Sequence, residues 1–270
     1  MLDAEGRTPS LEQRLAVRVR PDERVAMYQS WRELLFLHWR MDPDVIQAGL
    51  PRGLWVDTYK GQAWVGIVPF FMRGIRPWWS PPVPGVSSFQ ELNCRTYVVD
   101  AAGTPGVWFY SLEANCRPAV WWGRTFFKLP YVRSRMSHTW DRQTGRVEFA
   151  SQWRGGPQQG VSRFVYEPRG AQISCEPGTL EFFLVERYVL FADWGAGRLM
   201  QGIVHHAPYQ VGDVHVEIAE TTLIAANGLP QPHAAPDHCL VSRGVDVEVF
   251  ALESVTTGAF DSGQSRDLPS

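Results

Sequence analysis

Short apolar stretches, many of them alternating with polar residues, recur along most of the chain and predict β-strands. Between two of them stands Lys60-Gly61, a dipeptide typical of a tight two-residue hairpin turn. The sequence predicts strands at 33–40, 54–59, 62–71, 89–99, 106–114, 136–142, 146–153, 162–166, 188–192, 198–206, 214–219 and 245–252.

Helical signals are fewer and shorter. Asp42 is a good N-cap residue and Pro43 suits the first helical turn, so a short helix is predicted at 43–48. A second helix is predicted at 118–128, ended by Pro130, because the residue before a proline avoids helical geometry. A third lies near 179–185, and the proline-rich run 76–85 reads as a loop. Many strands and few helices predict a mainly β fold, a closed or cone-shaped antiparallel sheet.

The sequence predicts one central domain with an N-terminal arm and a C-terminal tail. Residues 1–24 are polar and predict an N-terminal arm that is loose or forms a short helix. No linker or repeat interrupts 25–255, so one barrel-like domain is expected there. The last residues, 256–270, are small and polar, a composition typical of a flexible tail.

Strand 89–99 carries charge in an unusual pattern. Because side chains alternate along a strand, Glu91, Asn93 and Arg95 share one face. On a sheet with one buried face, Glu91 and Arg95 would form an ordinary surface pair. In a closed sheet they would point inward, where buried charges require partners or a ligand. Periodicity alone leaves both interpretations open.

The predicted helix at 118–128 offers a second polar cluster. Arg124 and Lys128 are four residues apart and would share a helix face, with Tyr131 just beyond the helix end. Two cations beside a phenol favour an anion site for a carboxylate or enolate. The alternative is a solvated face on which the lysine covers apolar surface.

Composition narrows the function classes. The net charge of −2 supplies no basic field for nucleic acid, and no apolar run is long enough to span a membrane. The charged N-terminus lacks the apolar core of a signal peptide, and the four cysteines are widely spaced, so a reducing cytoplasmic location is expected. His233, His238 and Cys239 lack structural-zinc spacing. No metal or cofactor is predicted, and homo-oligomerisation stays open.

Six segments together resemble an uncharacterised bacterial family of the acetoacetate decarboxylase-like superfamily. The likeness runs from about residue 28 to 230 and implies a cone-shaped closed sheet around a buried pocket, which favours the inward orientation of Glu91 and Arg95. The segments are LLFLHW (34–39), GQAWVGIVPFFM (61–72), FQELNCRTYV (89–98), PGVWFYSLEA (105–114), GRTFFKLPY (123–131) and LVERYVLF (184–191).

The resemblance also marks a departure. Acetoacetate decarboxylases form a Schiff base through one of two adjacent lysines that follow a Gly-Arg…Pro segment. Gly123-Arg124 and Pro130 match that frame, but Tyr131-Val132 stands where the lysine pair would be. Neither side chain is an amine, so Schiff-base decarboxylation is not expected. The resemblance places Glu91 where a pocket carboxylate would be.

Three functions remain in view. The first is a binding protein for a small organic acid, held by Glu91, Asn93, Arg95, Arg124, Lys128 and Tyr131. The second is a lyase or isomerase acting on a keto acid, with Glu91 or Lys128 as the catalytic candidate and Arg124 and Lys128 stabilising negative charge. The third is an interaction protein that uses Trp78-Trp79 as an exposed patch.

Overall fold

The computed structural model describes residues 8–153 and 160–255, and the predicted tail at 256–270 lies outside these ranges. Within them the helices are α1 Leu11–Ala16, α2 Pro43–Ala48, α3 Arg117–Phe126, α4 Leu180–Val185 and α5 Leu223–Ala226. The strands are β1 Met27–Met41, β2 Leu54–Val56, β3 Ala63–Pro77, β4 Phe89–Asp100, β5 Pro105–Ala114, β6 Tyr131–Trp140, β7 Val147–Trp153, β8 Val161–Ser174, β9 Val189–Asp193, β10 Leu199–His206, β11 Gln210–Thr221 and β12 His238–Ser254.

These strands form one twelve-stranded sheet, in the part of the chain that the structure describes. Nine strands close into a ring in the order β5-β6-β7-β8-β11-β12-β1-β3-β4, with β4 pairing back to β5. The pairs β5–β6 and β5–β9 are parallel and the other strand pairs described are antiparallel. The mainly β, closed-sheet prediction is confirmed.

The sheet branches at two strands. β5 pairs with β9 at Val107 and Trp108 and with β6 from Leu112 onward. β12 likewise pairs with β11 at Val241 and with β10 from Val247 to Ser254. β9 and β10 therefore close a second ring through the shared strands β12, β1, β3, β4 and β5. The shared strands separate two interiors, and β4 is buried along nearly its whole length.

Local signals placed several elements correctly. α2 spans the predicted residues, and the Asp42 carboxylate accepts a hydrogen bond from the Asp44 amide. Lys60 and Gly61 form the predicted tight turn, both with positive φ, between the bridged residues Tyr59 and Gln62. The strand after the turn is longer than predicted and extends through Pro77, because its pairing with β1 continues to that residue.

The described part of the predicted N-terminal arm, residues 8–24, contains a docked helix, α1. A capping box between Ser10 and Gln13 begins α1. Arg14 on this helix makes two 2.7 Å hydrogen bonds to the buried carboxylate of Asp57, which also accepts a 2.8 Å bond from Arg187. A further contact fixes the arm, since Arg20 donates a 2.6 Å hydrogen bond to Glu248 on β12.

None of the described helices is long and apolar enough to cross a membrane.

Candidate functional site

The charged face of β4 points into the protein. Glu91, Asn93 and Arg95 are only 2%, 5% and 9% exposed. They share the face of Tyr97, which belongs to one hydrophobic core. The intervening residues Leu92 and Cys94 pack into a different core. β4 is therefore buried on both faces, and the surface-pair interpretation of Glu91 and Arg95 is excluded.

Glu91 pairs with Tyr131. β4, β5 and β6 are successive strands, and Tyr131 at the start of β6 directs its hydroxyl to Glu91 Oε2 at 2.9 Å. Gly123 on α3 makes room for the tyrosine ring, since a Cβ there would lie 2.4 Å from its Cδ2 atom. Burial raises the pKa of Glu91 to about 8, and the hydrogen bond from Tyr131 opposes the rise. The carboxyl is thus mainly neutral at pH 7.

Arg95 is a buried cation held mostly by neutral groups. Its Nη2 donates to the carbonyl of Leu184 at 3.1 Å, and the guanidinium lies 5.6 Å from the ring centroid of Phe36 and 5.7 Å from that of Tyr97. Arg95 Nε is buried without a hydrogen-bond partner, and Arg95 forms no salt bridge within the described ranges. A buried guanidinium without a carboxylate favours an anionic partner.

Neutral polar groups surround this cation. Asn93 Oδ1 is buried without a hydrogen-bond partner among the described residues, and Asn93 lies between Glu91 and Arg95 along the strand. Tyr97 hydroxyl donates 2.9 Å to the carbonyl of Leu184 and lies 2.8 Å from Nε2 of the buried His38. Burial, then the charge of Arg95, lower the pKa of His38 well below its usual value, so the imidazole is neutral. His38 therefore adds no second positive charge beside Arg95.

The other two predicted cations lie elsewhere. Arg124 is exposed, and its Nε donates 2.5 Å to the backbone carbonyl of Tyr131. α3 ends at Phe126, two residues earlier than predicted, and Lys128 follows in a left-handed conformation with φ 51°. The predicted shared helix face therefore does not include Lys128. The structure brings together Glu91 and Tyr131 on the face of Asn93 and Arg95, and leaves Arg124 and Lys128 outside this group.

Two surface cavities are separate from this interior face. One, of about 340 Å³, is lined by Lys128 with residues of β5 and β9. The other, of about 730 Å³, opens between β11 and residues 231–236. Glu91, Asn93 and Arg95 line neither of them.

The sequence analysis did not single out one group of buried polar residues. Glu186, Arg187 and Tyr188 are all buried. Glu186 accepts hydrogen bonds from the Tyr188 hydroxyl and, at 2.8 Å, from the Tyr209 amide. The available signal was the apolar run FFLV immediately before them, since α4 carries this run into the core and the next residues follow it.

The closed, branched sheet with a polar inner face defines an acetoacetate decarboxylase-like fold. Solved structures with this fold include the enduracididine biosynthesis enzyme MppR complexed with pyruvate, with TM-score 0.60 and 14% identity, covering 86% of this chain and 91% of that one. Acetoacetate decarboxylase from Legionella pneumophila matches with TM-score 0.58 and 13% identity, covering 94% of this chain and 98% of that one. An acetoacetate decarboxylase-like enzyme from Sphingomonas wittichii matches with TM-score 0.57 and 13% identity, covering 86% of this chain and 94% of that one.

The chain belongs to the DUF2071 family, described as an uncharacterized conserved protein, whose model matches residues 28–246. A relative from Bacillus subtilis, the uncharacterized protein YqjF, is 35% identical over 216 residues, which cover 80% of this chain and 87% of YqjF. The sequence-based resemblance is confirmed.

Proposed function

We propose that this protein binds a small organic acid against the inner face of β4, without forming a Schiff base. The observation that carries the proposal is the buried Arg95 guanidinium, which has no carboxylate partner among the described residues and an unpaired Nε. Burying an unpaired cation is costly, and a ligand carboxylate would offset that cost with charge-assisted hydrogen bonds.

The same face supplies neutral polar contacts. The Cα atoms of Glu91 and Arg95 lie roughly 13 Å apart along the strand, with Asn93 midway. A carboxylate on Arg95 would leave the ligand's carbonyl or hydroxyl near Asn93 and the neutral Glu91 carboxyl. Arg95 is the anchoring cation in this arrangement, while the exposed Arg124 fixes the backbone at Tyr131.

A Schiff base finds no support in the positions of the amines. The chain has two lysines, Lys60 in the hairpin turn and Lys128 beside the surface cavity. Tyr131 stands where the resemblance puts the first lysine of the pair, and its hydroxyl bonds Glu91. Borohydride treatment with pyruvate, the keto acid bound in the MppR structure, is therefore expected to give no lysine adduct by mass spectrometry.

A second candidate function is acid–base chemistry on a keto acid, as a lyase or isomerase. The observation that favours it is the Glu91 pKa of about 8, which suits proton transfer near neutral pH. Tyr131 would hold the carboxyl while it gains or loses a proton. Exchange of pyruvate methyl protons in D₂O, followed by NMR, would be accelerated by the wild type and lost in Glu91→Gln. Equal exchange rates in the two proteins would exclude this role.

The binding proposal is tested by calorimetric titration with pyruvate, acetoacetate and 2-oxobutanoate. Arg95→Met is expected to weaken binding by about tenfold or more, because charged hydrogen bonds are worth about 1.5–3 kcal/mol. The ligand-free variant should be as stable as the wild type or more stable, since an apolar side chain replaces a buried unpaired charge. Arg124→Gln is the matched control and should bind normally. Unchanged affinity in Arg95→Met, or no binding of any of these acids to the wild type, would contradict the proposal.

A further inference from the structure

The outer surface of α3 is apolar. This helix lies in the connection between β5 and β6, two strands that pair in parallel. Its buried side is narrow and consists of Val120 and Gly123. The large side chains of Trp121, Trp122 and Phe126 face solvent instead and are 46–61% exposed. Because a surface helix normally turns its apolar side inward, this outward aromatic side has no partner in the described chain.

The three rings form one continuous patch. The ring centroids of Trp122 and Phe126 are 4.2 Å apart, and those of Trp121 and Phe126 are 5.9 Å apart. The exposed Val86 adjoins the N-terminal end of the helix, since its carbonyl lies 3.7 Å from Cys116 Sγ. Contiguous exposed apolar surface of this kind is typical of a site that binds a protein or a membrane.

The charge on this part of the chain has one sign. Between residues 58 and 140 the acidic residues are Glu91, Asp100 and Glu113, and all of them are buried. The exposed charged residues of the same stretch are therefore all basic, namely Lys60, Arg73, Arg117, Arg124, Lys128, Arg133 and Arg135. Asp193 on β9 lines the same cavity as Lys128 and partly offsets its charge.

Two arginines flank the aromatic rings without an acidic partner. Arg117 is four residues before Trp121, and positions four apart are neighbours on a helix. Arg133 shares a face of β6 with Tyr131, whose ring packs against Gly123 of α3. Neither arginine forms a salt bridge with another described residue. The aromatic patch therefore has a basic rim.

We propose that the aromatic side of α3 docks the protein on a membrane surface that contains anionic phospholipid. Trp and Phe side chains favour the boundary between lipid headgroups and acyl chains, and arginines beside them can bind the lipid phosphates. The helix has ten residues and is about 15 Å long, so it can lie flat in that boundary. Because the patch is on the outer surface, the proposal does not depend on the organic-acid site.

Two other partners fit this surface less well. A two-fold contact with a second copy of the chain would bring Arg117 and Arg133 of both copies together, and no exposed acidic group of the 58–140 stretch would neutralise them. Single-stranded nucleic acid stacks its bases on open ring faces, whereas Trp121, Trp122 and Phe126 pack against one another.

Co-sedimentation of the full-length protein with vesicles tests the proposal. Vesicles of phosphatidylcholine with roughly one third phosphatidylglycerol should bind the protein about tenfold or more tightly than pure phosphatidylcholine, and about 0.5 M NaCl should weaken that binding. The double variant Trp121→Ser, Trp122→Ser should bind about tenfold or more weakly. Trp140→Ser is the matched control, because Trp140 is 51% exposed and lies at the other end of β6, roughly 30 Å from Tyr131.

Charge variants give a second readout. Arg117→Gln with Arg133→Gln should weaken binding to the anionic vesicles by about tenfold or more, whereas Arg142→Gln, beside Trp140, should leave it unchanged. No binding to anionic vesicles, or an equal loss in Trp140→Ser, would contradict the proposal. A dimer in analytical ultracentrifugation, or a complex with a single-stranded oligonucleotide, that disappears in the double tryptophan variant would assign the surface to that partner and overturn it.

Discussion

Two buried carboxyl groups show how position sets charge in this protein. Glu91 and Glu113 lie on neighbouring strands and face opposite interiors, since Glu113 pairs with Leu92. Burial raises the pKa of Glu91 to about 8 and that of Glu113 to about 7. A hydrogen bond from a hydroxyl group opposes the rise in both cases, from Tyr131 at Glu91 and from Ser151 at Glu113. Each side chain is held by a hydroxyl donor, and at pH 7 Glu91 is mainly neutral whereas Glu113 is about half ionised.

The raised Glu91 pKa predicts how stability depends on pH. Between the unfolded pKa near 4.5 and the folded pKa near 8, the native state holds a proton that the unfolded state has released. The contribution of Glu91 to the free energy of unfolding is therefore fully present below the unfolded-state pKa, and it is lost as the pH rises towards the folded-state pKa of about 8. Relative to Glu91→Gln, the wild type should lose up to about 1.4 kcal/mol per pH unit in this window.

Urea unfolding from pH 5 to 8 measures this difference. Glu23→Gln, at an exposed position, is the control and should follow the wild type. A constant difference between wild type and Glu91→Gln across the window would show that Glu91 keeps an ordinary pKa.

Among the elements, α1 depends on a buried ion cluster. Asp57 binds both Arg14 and Arg187, and its side chain is fully buried. Asp57→Ala should destabilise the protein by about 3–5 kcal/mol, because it leaves a buried cation without its partner. Arg14→Ala should cost less, since Arg187 still neutralises Asp57, but it should release α1. Limited proteolysis would detect that release as faster cleavage near residues 8–20, and equal cleavage of Arg14→Ala and wild type would contradict the docking role.

Elements were predictable where the signal was local. Asp42 and Pro43 fix the start of α2, and Lys60-Gly61 fixes a turn, because capping and φ preferences act within a few residues. The end of α3 was not predictable, since the chain must leave the helix at Phe127 to reach the parallel pairing of β6 with β5. That tertiary demand removed Lys128 from the face it would have shared with Arg124.

Only part of the candidate site was predictable from the sequence. Alternation put Glu91, Asn93 and Arg95 on one face, and the structure keeps them there. Whether that face was exposed to solvent or buried depended on closure of the sheet. Periodicity carries no information on closure, whereas the family resemblance predicted it. The carbonyl of Leu184, which binds Arg95, comes from a helix 89 residues away, and no pattern within β4 points to it.

For the whole molecule, the shared strands predict cooperative unfolding. β12, β1, β3, β4 and β5 belong to both rings, so neither interior can open without disturbing strands that enclose the other. Denaturation followed by far-ultraviolet circular dichroism, near-ultraviolet circular dichroism and tryptophan fluorescence should give coincident midpoints. Separate midpoints would show that the two rings unfold independently.

Burial of β4 on both faces also restricts how this sequence can change over evolution. A strand with one solvent-exposed face tolerates substitution at every second position, but here each residue from Glu91 to Asp100 is buried. Glu91, Asn93 and Arg95 share the face of Tyr97 towards one core, whereas Leu92 and Cys94 pack into the other. If the proposed binding function holds, substitutions at Glu91, Asn93 and Arg95 can change ligand preference while Leu92 and Cys94 preserve the opposite core, so the two faces of one strand can evolve independently.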